Sequence, residues 1–225
     1  MKTLNVLLFI ILTSALTANA QERQHSTYYY QRATLFEKLL VDENDIIFLG
    51  NSITDGAEWS ELFNNSNVKN RGISGDVTMG VYDRLNAVLK GSPAKIFLLI
   101  GINDVARGIS ADSIVSNIRL ITETIHEKSP DTKLYIQSVL PVNDHFSKFE
   151  GHTSRYQMVP EINQQLRALA KKKDAKYIDL FRHFVNDSGI KMDEQYTNDG
   201  LHLTGEGYLL WKEIVEPYIP EKKPR

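Results

Sequence analysis

Short, largely apolar runs recur along this chain, at residues 46–49, 96–100, 134–139 and 177–180, with Val68 to Asn70 reading as a brief further strand, and the runs at 46–49 and 96–100 each give way to a polar loop. Runs of this length, apolar nearly throughout, read as strands buried on both faces of a sheet. Between them the apolar residues fall at helical spacing, as in Val81, Leu85, Val88 and Leu89, or Ile114, Ile118, Ile121 and Ile125, or Ile162, Leu166 and Leu169. Strands alternating with helices predict a five-stranded parallel sheet with helices on both faces, a three-layer α/β/α sandwich. In an open sheet of this kind, ligands bind beyond the carboxyl ends of the strands. The turn after the first run holds Asn51, Ser52, Thr54 and Asp55, so Ser52 is the hydroxyl placed where chemistry is expected.

Local signals set the ends of the elements. Thr78 and Ser110 read as helix N-caps, and Pro160 suits a first helical turn. Leu35, Phe36, Leu39 and Leu40 put an amphipathic helix before the first strand, and Tyr28, Tyr29 and Tyr30 read as covering its seam with the sheet, their hydroxyls in water. Tyr208, Trp211, Val215 and Tyr218 form an aromatic stripe that reads as core. Lys171, Lys172 and Lys173 read as a solvated helix end that complements the helix dipole. Residues 143–155 have no apolar period and read as a crevice-side loop, with His145 and His152 as surface residues and substrate contact as the alternative. Repeats, low-complexity tracts and linkers are absent from the sequence, so residues 21–225 are expected to form a single domain.

The first twenty residues carry a different signal. Lys2 precedes an apolar core at 6–12, and the segment ends Ala18-Asn19-Ala20, the pattern of a cleaved secretory leader. Its apolar run is too short to span about 30 Å of hydrocarbon. The expectation is a signal peptide over residues 1–20, a mature chain from Gln21, and a periplasmic or secreted protein with no stable membrane insertion. The sequence contains no cysteine, which excludes thiol nucleophiles, disulfides and thiolate metal sites together. Its 26 basic and 28 acidic residues leave a net charge of -2, with no basic field for nucleic acid. Neutral or weakly polar partners fit better. The histidines lack H-x₃-H or H-E-x-x-H spacing, and neither a metal nor another cofactor is expected.

Four separated loops hold Ser52, Gly75, Asn103, and Asp199 with His202, and the first three each follow a predicted strand. Acyl transfer needs such a set: a hydroxyl nucleophile, a base for its proton, a carboxylate that fixes the base's tautomer, and N–H donors for the oxyanion. Each residue alone is commonplace in a turn; together, in this order, they are specific.

On these residues the chain resembles the SGNH (GDSL-type) hydrolase family, including its small secreted members akin to carbohydrate acetylesterases and platelet-activating-factor acetylhydrolase-like proteins. Gly50-Asn51-Ser52-Ile53-Thr54 matches the family's G-D-S-[LI]-T segment, and Gly72-Ile73-Ser74-Gly75-Asp76 its glycine loop. Gly101-Ile102-Asn103-Asp104 matches G-x-N-D, and Asp199-Gly200-Leu201-His202 the terminal D-x-x-H. The resemblance implies the flavodoxin-like SGNH fold, with Ser52 as nucleophile, His202 as base and Asp199 as orienting acid. It also implies an oxyanion hole made by the N–H groups of Ser52 and Gly75 and the Asn103 amide. Asn51 stands where the family usually has Asp; its side-chain oxygen can still make an Asx-type turn, so activity is expected to survive. The G-x-S-x-G elbow of ordinary α/β-hydrolases is absent around Ser52.

The implied function is a serine esterase that removes small acyl groups, acetyl foremost, from a carbohydrate, acting on a small-molecule or oligosaccharide ester. A lysophospholipase or acyl-thioesterase acting on lipid-like esters is the alternative, and a non-catalytic glycan-binding module is a third. With a histidine base, activity is expected to fall below roughly pH 6. Arg71, Tyr82, Arg107 and Arg155 lie near the predicted crevice loops, either as substrate contacts or as surface pairs and caps.

Overall fold

The computed structural model describes residues 23–219. The expected leader lies outside them. Five strands, β1 (Ile46–Gly50), β2 (Val68–Gly72), β3 (Lys95–Leu99), β4 (Lys133–Gln137) and β5 (Lys176–Ile178), form one parallel sheet in the order β2-β1-β3-β4-β5. The predicted runs are recovered to within two residues at each end. β2 runs on to Gly72 because its pairing with β1 continues through Leu49↔Arg71 and Gly50↔Gly72.

The helices follow in chain order: α1 (Thr27–Lys38), α2 (Ser52–Asp55), α3 (Trp59–Leu62), α4 (Thr78–Asp83), α5 (Leu85–Leu89) and α6 (Ile102–Ala106). After them come α7 (Ala111–Lys128), α8 (Glu150–Thr153), α9 (Met158–Lys172), α10 (Phe181–Phe184) and α11 (Gly205–Val215). Alternate strand residues point to opposite faces. On one face Phe48, Phe97 and Tyr135 are register partners across three strands, with ring centroids 4.9 and 4.5 Å apart. Trp59 of α3 stacks on Phe48 at 3.9 Å and meets Trp211 of α11 at 4.8 Å. The opposite face is covered by α7, which packs against α9 on one side and α4 and α5 on the other, with α1 lying against α5. Phe97 is fully buried between two aromatic partners. Phe97→Ala is therefore expected to cost about 3–5 kcal/mol of stability, read as a lower denaturant midpoint at unchanged slope.

Several local expectations change on the structure. The single helix foreseen from Thr78 to Leu89 is broken at Arg84 (φ -105°, ψ 7°) into α4 and α5. At the break sits a buried guanidinium that reaches back to β1, β2 and the Gly75 loop. Thr78 is the first residue of α4 rather than its cap; Val77 occupies the cap position without a side-chain bond, and the Thr78 hydroxyl donates to Asp104 instead. Ser110 does cap α7, accepting from Ser113 N at 3.3 Å. Tyr29 is buried and donates its hydroxyl to Gly80 O at 2.8 Å, whereas Tyr28 and Tyr30 are exposed. The stripe on α11 is core, with Trp211 Nε1 donating to Gln137 Oε1 at 2.7 Å. Residues 143–155 are not plain loop: they hold a 3₁₀ turn at Asp144–Phe146 and the short helix α8. Among the described residues no helix is long and apolar enough to cross a membrane.

Candidate active site

Parallel strands deliver their loops to one edge of the sheet, and three of those loops converge here. β1 ends at Gly50, and Asn51 turns the chain into α2: its Oδ1 accepts from Ile53 N at 3.0 Å, the Asx-type turn expected of it. That amide is wholly buried, and its Nδ2 has no hydrogen-bond partner among the described residues. β2 must end in glycine, because a Cβ on Gly72 would stand 2.2 Å from Asp55 N. The turn that follows puts Gly75 at φ +80° with nothing within 4 Å of where a side chain would begin. That leaves open space above its backbone. Beyond β3, Gly101 (φ +130°) leads into α6, which carries Asn103 and Asp104.

The last segment brings Asp199 and His202 to the same edge. Asp199 Oδ1 accepts from the backbone N–H of Leu201 and of His202, both at 2.8 Å, so the carboxylate shapes the turn that presents the histidine. Its Oδ2 lies 2.8 Å from His202 Nδ1, and His202 Nε2 lies 3.0 Å from Ser52 Oγ. With Nδ1–H facing a carboxylate, the ring's other nitrogen is left to accept the serine proton. Burial pushes the Asp199 carboxyl up, but the hydrogen bonds from the His202 ring and from the two backbone N–H groups outweigh it and hold the group below its usual range.

The N–H groups of Ser52 and Gly75 donate to nothing among the described residues. Asn103, 8% exposed, donates one N–H from Nδ2 to Asp76 O at 2.7 Å and keeps a second. Three of the donors expected around an oxyanion therefore have N–H capacity to spare. Among the described residues no three His, Cys, Asp or Glu side chains converge in a way that could hold a metal ion.

These loops are braced from behind by groups the sequence reading passed over. Arg84, 4% exposed, donates from Nε to Asp76 Oδ2 (2.9 Å), from Nη1 to Arg71 O (2.9 Å) and from Nη2 to Gly50 O (3.0 Å). One guanidinium thus ties the end of β1, the end of β2 and the Gly75 loop together. A signal existed: Arg84 sits three residues after Val81 and beside Leu85, on the inward stripe, where a charge needs partners. Asp104 accepts from Thr78 N at 3.0 Å and from Thr78 Oγ1 at 2.5 Å, fixing α6 to the start of α4. Burial pushes the carboxyls of both Asp76 and Asp104 up, opposed by Arg84 in the first and by the Thr78 hydrogen bonds in the second.

The remaining candidates divide. Arg107 reaches the site, its Nη2 donating to Gly75 O at 3.1 Å. Arg155 is turned to Val105 O at 3.1 Å, and Arg71 is buried with its guanidinium 5.0 Å over the Phe36 ring. Tyr82 packs partly buried against the core. His145 is exposed, with Nε2 3.9 Å from Glu194. His152, expected at the surface, is instead half-buried with Nε2 2.8 Å from Asn103 Oδ1. No periodic signal in residues 143–155 could have found it.

Comparison with known proteins gives the same answer as the geometry. Platelet-activating factor acetylhydrolase IB subunit alpha2 of Rattus norvegicus is 29% identical over 174 residues, covering 74% of this chain and 72% of that protein. A structure from Streptococcus pneumoniae superposes with a TM-score of 0.79 at 28% identity, covering 86% of this chain and 93% of the other. A GDSL-like lipase from Bacteroides thetaiotaomicron superposes with a TM-score of 0.72 at 27% identity, covering 85% and 96%. A family model for the GDSL-like lipases and acylhydrolases matches residues 48–210, a span that runs from the strand before Ser52 to the helix after His202. The chain therefore belongs to the GDSL-like lipase/acylhydrolase family and is a hydrolase of acyl esters.

Proposed function

We propose that this protein is an exported serine esterase that releases small acyl groups, acetyl foremost, from carbohydrate esters through an acyl-enzyme. The observation that carries the reading is the unbroken path from Ser52 Oγ through the His202 ring to the Asp199 carboxylate. In the proposed reaction His202 Nε2 takes the proton as Ser52 Oγ attacks the ester carbonyl. The oxyanion is held by the N–H groups of Ser52 and Gly75 and the free N–H of Asn103. His202 passes the proton to the departing alcohol, then activates a water that releases the acid and restores the serine. No cofactor or metal enters this scheme.

The acetyl preference draws on the first relative named above, a platelet-activating factor acetylhydrolase subunit. The carbohydrate half rests on a cavity of about 170 Å³ beside Gly75. Gln24, His25, Ser26, Ser74, Asp76 and Arg107 line it beside Tyr29 and Val77, so hydrogen-bonding groups for a leaving group rich in hydroxyls stand among apolar ones. A lipid-like ester is favoured by one contrary observation: Phe149 is 45% exposed, with its ring centroid 5.0 Å from that of His202.

Chain-length preference separates the two. Turnover of p-nitrophenyl esters is expected to fall steeply beyond butyrate, and a maximum at octanoate or longer would transfer the assignment to a lipid esterase. Release of acetate from acetylated oligosaccharides then identifies the sugar. Export belongs to the same reading and rests on the leader pattern of residues 1–20. The intact mass of protein recovered from outside the cytoplasm should correspond to a chain beginning at Gln21.

A further inference from the structure

One histidine touches this machinery without a part in the proposed reaction. His152 lies on α8, which packs against α6, the helix that carries Asn103. The Asn103 amide makes two side-chain contacts, Nδ2 to Asp76 O at 2.7 Å and Oδ1 to His152 Nε2 at 2.8 Å. The first fixes the second. Turned over, the amide would set its own oxygen against the Asp76 carbonyl oxygen, which two acceptors cannot tolerate. With Oδ1 facing His152, the ring has to carry its proton on Nε2.

We propose that His152 is a positioning residue, which clamps the Asn103 amide so that its spare N–H is held toward the developing oxyanion. The proposal rests on the reading of Asn103 as an oxyanion donor. The clamp also polarises the amide, since an oxygen that accepts a hydrogen bond leaves the N–H groups of the same amide stronger donors. Burial, followed by the neighbouring His202 and Arg107, holds His152 below the usual imidazole range, against a backbone contact with Phe149 that acts the other way. A neutral ring with its single proton on Nε2 meets the need.

The backbone around it is built to deliver that ring. Phe149 adopts left-handed geometry (φ 51°, ψ 42°), a strained conformation for a bulky residue. In that conformation its carbonyl accepts from His152 N at 2.8 Å and Thr153 N at 3.0 Å, which starts α8. At the other end of the segment, Asn143 N donates to Gly200 O at 2.8 Å, between Asp199 and His202. The stretch that holds the oxyanion amide is thus fastened to the stretch that holds the base.

The test is a cycle of His152→Ala, Asn103→Ala and the double variant, with His152→Gln beside them, assayed on p-nitrophenyl acetate. His152→Ala is expected to lower kcat about tenfold while KM stays within twofold, the split of an interaction made in the transition state. His152→Gln, whose side-chain N–H can reach the same oxygen, should recover most of that loss; a Gln variant as slow as the Ala variant, with melting temperatures unchanged in both, overturns the clamp. Asn103→Ala should lose about 10²- to 10³-fold, and the double variant no more, because the clamp has nothing left to hold. Wild-type kcat in His152→Ala beside a slow Asn103→Ala defeats the proposal alone, and so does a double variant whose loss is the product of the two singles. Wild-type kcat in Asn103→Ala removes the donor reading itself and takes the proposal with it.

Discussion

Ser52→Ala is expected to lose on the order of 10⁶-fold in kcat, the scale seen when the nucleophile of such a triad is removed. His202 would still lie beside Asp199 and the oxyanion donors would remain, but the only hydroxyl within hydrogen-bond reach of His202 Nε2 among the described residues would be gone. Water reaching the same place would retain whatever the donors and substrate binding supply, about 10³- to 10⁴-fold over solution. KM should move little, since the hydroxyl contributes to the transition state and scarcely to the ground state. The assay is release of p-nitrophenol from the acetate ester, beside labelling by a fluorophosphonate probe. Wild type should label one serine, and the variant none at all. An unlabelled wild-type protein that binds acetylated oligosaccharide without turnover would make it a glycan-binding module on an esterase fold. Equal turnover in the two proteins would remove Ser52 from the chemistry.

Asp199→Asn should cost about 10⁴-fold in kcat while the fold is kept. The amide is nearly the same shape, and its oxygen can still accept from the backbone N–H of Leu201 and His202. Its NH₂ would then face His202 Nδ1 as a donor. That reverses the tautomer, placing the ring proton on Nε2, where it can no longer take one from Ser52. The same substitution has a stability signature. The native Asp199 carboxyl sits below its usual range, so its ionised form stabilises the fold at pH values above the unfolded value of about 3.9. That contribution is lost as pH falls through the lower, native value. The gap in melting temperature between wild type and Asp199→Asn should therefore be widest near neutrality and shrink below about pH 4. A gap that widened on acidification would mean that the carboxylate is not stabilised in the native state.

Much of this protein was legible in one dimension, for reasons that are local. Parallel strands buried on both faces must be apolar nearly throughout, so β1 and β3 announce themselves, and strand-to-helix alternation leaves little choice of layering. Ser52, Gly75, Asn103, Asp199 and His202 stand out because acyl transfer asks for particular residue types in particular turns, and short turns advertise themselves through glycine and asparagine. Where a feature depended on the nearest residues, as at the Asn51 turn or the Ser110 cap, the expectation held.

The misses share the opposite property. Arg84 sits at the break of a helix that periodicity would have continued, and its partners, Gly50, Arg71 and Asp76, are 34, 13 and 8 residues away and are gathered only when β1 and β2 pair. Tyr29 finds Gly80 across 51 residues. His152 meets Asn103 across 49, from a stretch with no periodicity to reveal which way a side chain faces. The sequence by itself determined the sheet, its layers and the candidates for the reacting groups, since each is written in residue type and spacing within a few positions. Only the tertiary structure decided what braces those groups, because a buried charge or an oriented amide is satisfied by whichever distant atom the fold brings within 3 Å.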